Sequence, residues 1–419
     1  LRYQLAESVK NDRMNFEDLE QYDYVLPPEL IRKKGFEPRD GARLFVYDTE
    51  TDTVTHDFFY NLAKYLPEKS LVVLNETRVV PARLWLRKET GGKIEVFVLA
   101  NEWDGGMEIP VLVDRKCIVG QKLLFPNGDF LEVIRQEESR FFVRLEFGGL
   151  TAENELEQRN IQRFNRCDGY LYRLLDIYGE TPVPHYLEGE MKESEQALRK
   201  RYQTVFAKTG ASVAAPTASL HFTDRVFESL DAKGIDIAKV TLDVGQGTFA
   251  PLRPENFKTR KLHRERIEVS EETAAKLDTS LGSSTSKSGR PIVAVGTTAL
   301  RTLESISASV IPIRQSADEE SRSLQYRLGS FASVQDDKRN KGRFRAYSGS
   351  TDIFISPPHE FRSADMLITN FHLPKTSLML LVDAFLEWKG AKRRIIPLYE
   401  EAIRERYAFY SFGDSMLIR

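Results

Sequence analysis

The sequence predicts a mixed fold, α+β or α/β, in which a discontinuous larger α/β domain (1–80 and 151–419) holds an inserted small β-barrel (81–150). Three observations predict it. At 419 residues the chain is longer than one simple core usually serves. Outside 81–150, apolar strand-like runs alternate with helical stretches, the pattern of an α/β domain. Inside it, six short alternating runs follow one another at Arg83–Arg87, Lys93–Leu99, Glu108–Val113, Gln121–Phe125, Phe130–Arg135 and Phe141–Glu146. Turns at Gly91-Gly92, Asp104-Gly105-Gly106 and Asn127-Gly128 separate several of them, as in a small barrel.

Taken in order, residues 1–20 are polar, and Tyr22 to Arg32 reads as an extended entry, a proline-initiated turn and then a short helix. Arg43–Asp48 and Ser70–Asn75 are predicted strands, with a helix over Phe58–Leu66 between them. Beyond the barrel, a charged helix is expected over Glu188–Lys200. The stretch Val213–Phe249 then organises the rest. It starts with small residues ahead of an exposed-looking Leu220-His221-Phe222. Thr223 and Asp224 can cap a helix with Val226, Phe227 and Leu230 on one face, and the apolar strand Ile237–Leu242 follows. Ser270 caps a further helix, with Glu271 and Glu272 in its first turn. Pro291–Gly296 is a buried strand leading into a helix. Residues 306–347 are Ser-rich, charged and without period, a predicted mobile surface insertion. Order resumes with strands at Ser350–Ile355 and Met366–Asn370, then helices at Ser377–Trp388 and Pro397–Tyr407.

Hydrophobic residues at 41% and charged residues at 29% fit a soluble globular protein. No apolar run reaches the roughly 20 residues that span a bilayer, and the first fifteen residues lack a signal-peptide apolar core. With only Cys117 and Cys167, neither a disulfide framework nor a cysteine-based metal site is expected, and the cytoplasm is the expected compartment. The net charge of −2 gives no global sign of nucleic-acid binding. A nucleic-acid partner would need a local basic face, for which Arg199–Lys208, Lys258–Arg266 and Lys338–Arg345 are candidates.

Candidate chemistry gathers after the apolar strands. Gly245-Gln246-Gly247-Thr248 and Gly296-Thr297-Thr298 each end a strand with glycines that let backbone approach a ligand, though neither matches a nucleotide fingerprint. Arg301 and Glu304 share a helix face one turn on, either as an ion pair or pointing at a ligand. Asn370, His372 and Lys375 follow a strand and flank a proline, the setting of an active-site loop. His221, His263 and His372 are the histidines beside non-periodic sequence, and no pair has the spacing of a helical zinc site. These residues reach as far as an α/β enzyme with a nucleoside-sized ligand.

Jointly, the segments resemble the S-adenosylmethionine:tRNA ribosyltransferase-isomerase family of queuosine biosynthesis. The resemblance rests on Tyr22–Ile31 (YDYVLPPELI), Arg39–Leu44, Leu74–Leu84 (LNETRVVPARL), Gly91–Leu99, Arg201–Lys208 (RYQTVFAK) and Val213–Thr223. It continues through Val240–Phe249, Val295–Glu304, Thr351–Ile355, Thr369–Lys375 and Arg404–Leu417. It implies transfer and isomerisation of the ribosyl group of S-adenosylmethionine onto 7-aminomethyl-7-deazaguanine in a tRNA anticodon. Epoxyqueuosine forms; adenine and methionine are released. S-adenosylmethionine is then a substrate, with no metal or other cofactor expected, and a monomer is expected. The catalytic set implied is His221, His372, Asp243 and Arg301, with either histidine as base or acid. Thr217, Gly245, Gly247, Thr248, Thr297, Thr298, Glu304, Asn370, Lys375 and Asp414 are the implied substrate contacts. Where the family motif reads His-Val-Gly-x-Gly-Thr-Phe, this chain has Asp243. The competing readings are a divergent paralogue using another acceptor and a non-catalytic tRNA-binding protein.

Overall fold

The structure, a computed structural model, describes residues 13–148, 168–183, 194–245, 247, 250–281, 289–309 and 344–419. Thr248, Cys167, the first part of the helix expected over Glu188–Lys200 and most of the stretch 306–347 lie outside these residues.

The described strands, in chain order, begin with β1 (Arg43–Asp48), β2 (Thr53–Phe58), β3 (Leu71–Asn75), β4 (Thr77–Val79), β5 (Arg83–Lys88) and β6 (Lys93–Val98). Next come β7 (Ile109–Val113), β8 (Lys122–Leu124), β9 (Phe130–Glu137), β10 (Arg140–Glu146), β11 (Gly179–Glu180) and β12 (Thr209–Ser212). The last are β13 (Asp236–Leu242), β14 (Lys261–Val269), β15 (Ile292–Val295), β16 (Tyr347–Ile353), β17 (Met366–Asn370) and β18 (Ser415–Ile418). The chain divides into two compact units, one of Leu1–Asn75, Thr217–Leu242 and Pro251–Arg419, the other of Glu76–Pro216 and Asp243–Ala250.

The first unit is built on one mixed sheet in the order β16-β14-β13-β3-β15-β17-β18-β1-β2. Its centre, β13-β3-β15-β17, is parallel, and the ladders towards both edges include antiparallel pairs. The central strands β3 and β15 are buried at every residue, as expected of strands covered on both faces. β14 nearer the edge alternates instead, burying Glu265, Ile267 and Val269. The helix Gly296–Ser309 packs on β13, β3, β15 and β17. Ser377–Trp388 is helical over the expected residues, with Thr376 accepting the Met379 N–H as its cap. In place of a helix over Phe58–Leu66 the chain finishes β2 at Phe58, makes a single 3-10 turn and then a short helix, Leu62–Tyr65.

In the second unit all six runs expected within 81–150 are strands, in a sheet ordered β11-β5-β6-β7-β10-β9-β8. Arg87 and Lys88 also pair with Leu124 and Leu123, so β5, β6, β7, β10, β9 and β8 follow one another in a ring. Alternate residues such as Leu86, Ile94, Val96, Leu131 and Val143 form its core. The unit extends past 81–150 for a packing reason. Helix Asp168–Tyr178 buries Leu171, Leu174 and Leu175, one face at helical spacing, in that same core, and β11 then adds to β5.

Candidate functional site

Four parallel strands of the first unit, β13, β3, β15 and β17, end side by side, and within that unit the segments leaving β15 and β17 carry many of the expected residues. This is the edge at which open α/β sheets place ligands. Asn75, the last residue of β3, links it. Its Nδ2 donates to the Leu242 carbonyl at 3.0 Å and to Thr298 Oγ1 at 3.2 Å, and its Oδ1 accepts the Leu242 N–H at 3.0 Å. Gly296 opens the helix at φ +84°, a left-handed conformation that disfavours a Cβ, and Thr297 and Thr298 are buried in the first turn.

Thr217, Asn370 and Asp414 form a second linked set. Thr217 Oγ1 donates to Asn370 Oδ1 at 2.8 Å, and Asn370 Nδ2 donates to the Asp414 carbonyl at 3.3 Å. The Asp414 carboxylate accepts the N–H groups of Arg43 and Ala408, each at 2.7 Å. Burial raises its pKa, while these bonds and the Arg43 charge act in the opposite sense. Its side chain thus closes a turn whose Gly413 leaves no room for a Cβ, 2.5 Å from the Ala408 carbonyl.

Leu220, His221 and Phe222, which look exposed in the sequence, are all buried, because the rings of Phe36 and Phe59 lie against His221 and Phe59 also packs on Phe222. Burial pulls the His221 pKa down to about 4, so the ring is neutral at neutral pH. Its Nδ1 lies 3.3 Å from the Arg39 carbonyl, the Arg39 and Gly413 carbonyls both act against the effect of burial, and Nε2 has no hydrogen-bond partner. His372 is neutral too, pulled to about 3 by burial, but its Nε2 is engaged with Thr369 Oγ1 at 2.8 Å.

Arg301 and Glu304 do not pair with each other. Arg301 Nη1 donates to Glu265 Oε2 at 2.5 Å, with both side chains almost wholly buried, while Nε and Nη2 have no partner. Glu304 accepts the N–H groups of Arg362 and Ser363, each at 3.0 Å, the Ser363 hydroxyl, and faces His359 Nε2 at 3.3 Å. Lys375 Nζ is bound by Glu20 at 2.8 Å and Asp23 at 2.9 Å, which raises its pKa, and it ties down the turn Glu17–Tyr22.

In the second unit Asp243 is buried. Its Oδ1 accepts the Thr77 hydroxyl at 2.8 Å and the Ala211 N–H at 3.0 Å. Beside it the Val244 N–H donates to Ser212 Oγ at 2.7 Å. Gly245 is buried and Gly247 half-buried; Thr248 lies outside the described residues.

Asn75 and Glu265 were not among the expected site residues. Asn75 carries a faint signal, an amide closing an otherwise apolar strand. Glu265 sits in a basic stretch, yet at the period-two position shared with Ile267 and Val269, which marks it as facing inward. Of the basic stretches, Lys258–Arg266 is partly neutralised, by Asp352 at Lys261 and by Glu268 at Arg266. Arg199 is likewise paired with Glu195 and Asp176.

A mixed α/β unit with polar side chains gathered at the carboxyl edge of its parallel strands is the class of a ligand-handling enzyme. Residues 19–418 match the model of the family described as queuosine biosynthesis protein, and the chain belongs to that family. It is 36% identical over 405 residues to the S-adenosylmethionine:tRNA ribosyltransferase-isomerase of Carboxydothermus hydrogenoformans, across 96% of this chain and 99% of that relative. The enzymes of the same name from Staphylococcus saprophyticus and Thermotoga maritima are each 38% identical. The first match covers 96% of this chain and 99% of the relative, the second 95% and 98%. A crystal structure of the S-adenosylmethionine tRNA ribosyltransferase from Thermotoga maritima matches at 29% identity and a TM-score of 0.45, over 95% of this chain and 100% of that one. Membership agrees with the resemblance read from the motifs.

Proposed function

We propose that this chain transfers and isomerises the ribosyl moiety of S-adenosylmethionine onto 7-aminomethyl-7-deazaguanine in tRNA, forming epoxyqueuosine and releasing adenine and methionine. The observation that carries this is the near full-length match to relatives bearing that enzyme's name. S-adenosylmethionine is consumed as ribosyl donor, and no metal or other cofactor takes part. The acceptor is the anticodon region of the tRNA, the protein acts as a cytoplasmic monomer, and the strand ring of the second unit is the inserted small barrel.

The positive sulfonium acidifies the protons beside it, so the reaction needs a base to form the ylide, and adenine departs more readily when protonated. His221 is the base. What favours it is geometry: its buried Nε2 has no hydrogen-bond partner, whereas His372 Nε2 is held by Thr369, and the burial that keeps the ring neutral also makes it a weaker base than a solvated imidazole. Once protonated in so buried a site, His221 is a strong acid and gives the proton up readily, which suits transfer towards the leaving adenine. Asn75 and Thr298 keep the loop after β3 and the first helical turn in register with β13.

The test is to incubate the protein with S-adenosylmethionine and tRNA bearing the deazaguanine precursor, and to follow adenine and the modified nucleoside. Both products should form, and His221→Ala should suppress adenine release. Adenine with a different acceptor only would make this a divergent paralogue, and no adenine with any RNA would refute the enzyme. Wild-type rates in His221→Ala would remove the histidine from the mechanism.

A further inference from the structure

The Arg301 side chain is only 4% exposed and its partner Glu265 2%, yet the guanidinium uses one of its three nitrogens. Glu265 takes Nη1. The two nitrogens without a partner are Nε and Nη2, and in a guanidinium these are not arbitrary. The Nε–H and the adjacent Nη2–H point the same way and form one edge of the planar fork, the edge that grips a two-oxygen anion bidentately. An arginine kept only to neutralise Glu265 has no need to hold such an edge dry. Buried N–H groups without acceptors are costly and rare, so a complete empty edge marks a place for a ligand.

Its surroundings favour an anion of one kind. Arg301 lies on the second turn of the helix Gly296–Ser309, three and four residues after Thr298 and Thr297, so all three share the face nearest the positive end of the helix. Paired with Glu265, Arg301 adds no net charge to the site. An RNA phosphate arriving there would bring a negative charge to a buried arginine whose own charge Glu265 already faces. The amino-acid end of a ligand brings a carboxylate together with an ammonium, and so enters an ion pair without unbalancing it.

We propose that the Nε/Nη2 edge of Arg301 binds the carboxylate of the methionine end of S-adenosylmethionine, and so selects the intact amino-acid group over analogues that lack it. The proposal rests on S-adenosylmethionine being the donor. It adds a specificity residue whose effect can be separated from turnover.

The experiment measures dissociation constants of S-adenosylmethionine and its decarboxylated analogue for the wild type, Arg301→Lys and Arg301→Gln. Adenine release is assayed alongside. The wild type should prefer the carboxylate form by about thirtyfold or more, the size expected for a buried bidentate charge-assisted contact. Arg301→Lys keeps the charge and the partner Glu265 but has no fork. It should bring the ratio to within about threefold of unity, chiefly by weakening the carboxylate form. Arg301→Gln should do the same. The wild-type ratio needs no variant, so a ratio near one overturns the proposal even if both substitutions prevent folding. A wild type that binds both ligands alike while still releasing adenine overturns the fork and leaves the reaction standing. A wild type that binds neither removes the reaction and the fork together. If Arg301→Lys keeps the carboxylate preference but weakens tRNA binding and lowers its salt slope, the edge holds an RNA phosphate and the proposal is wrong.

Discussion

Acid should unfold this protein through two histidines that ordinary solvent would protonate and the fold does not. His221 and His372 have folded pKa values of about 4 and about 3, against 6.5 for a solvated imidazole, and burial is the cause in both. The sign follows from proton uptake. Between pH 6.5 and about 4 the unfolded chain binds protons that the native chain refuses, so stability falls as pH falls through that window. At pH 5 an unfolded histidine is almost fully protonated and the buried one mostly neutral, which costs about 2 kcal/mol for each residue relative to pH 7.5. The perturbation that isolates the effect is His221→Gln, whose amide can still donate to the Arg39 carbonyl but cannot titrate. Urea midpoints at pH 7.5, 6 and 5, followed by tryptophan fluorescence, should show the variant losing about 2 kcal/mol less than the wild type over that range. Carboxylates titrate in both proteins and cancel in the comparison, including Asp414, whose raised pKa acts in the opposite direction. Parallel stability curves for variant and wild type would mean that the His221 ring is solvated or already charged, and would undo its reading as a neutral base.

Asp414→Ala should strand the N–H groups of Arg43 and Ala408 in a buried turn, lowering stability by about 2–5 kcal/mol, read as a clear drop in thermal midpoint. Asp414→Asn, which keeps one acceptor oxygen, should lose about half as much. Gly296→Ala forces a Cβ onto a residue at φ +84°, at a cost of about 1–2 kcal/mol by urea unfolding, with no clash to relieve because the nearest atoms are 3.7 Å from that Cβ. Lys375→Ala should leave the thermal midpoint nearly unchanged and speed amide exchange over Glu17–Tyr22, the turn that its ammonium ties down through Glu20 and Asp23. Unchanged exchange there would return Lys375 to the ligand contacts.

The strands of this protein were legible because burial on two faces leaves a compositional mark. Leu71–Leu74 and Ile292–Val295 are continuous apolar runs, and strands such as β9 and β10 alternate between buried and more exposed residues. Side-chain partnerships were much less so. Arg301 has an acidic neighbour one helical turn away in Glu304, and the sequence invites that pair, yet it bonds Glu265 on an edge-ward strand. Lys375 meets Glu20 and Asp23, far away in sequence, and no local pattern could announce it. Leu220-His221-Phe222 look exposed because they have no period; Phe36 and Phe59, brought from other segments, bury them. Local rules see spacing along one element, and these contacts are made between elements.

The expected site residues separate by what their hydrogen-bonding atoms are already doing. Asp414 and Glu304 have carboxylates filled by main-chain N–H groups, Asn370 is spent between Thr217 and Asp414, and Lys375 holds the entry turn. Such residues position loops, and replacing them should register first in stability. Among the described residues expected at the site in the first unit, His221 and Arg301 are the ones that keep a buried nitrogen without a partner. One is a nitrogen of a neutral ring, the other an intact pair of N–H donors, and a buried polar atom left open costs free energy in the empty protein. In the reading proposed above, the carboxylate of S-adenosylmethionine fills the second. Positioning residues and ligand-facing residues can therefore be told apart by experiment. Replacing Asp414 or Glu304 should lower stability while keeping the preference for the carboxylate-bearing ligand, and Arg301→Lys should abolish that preference in a protein that stays folded.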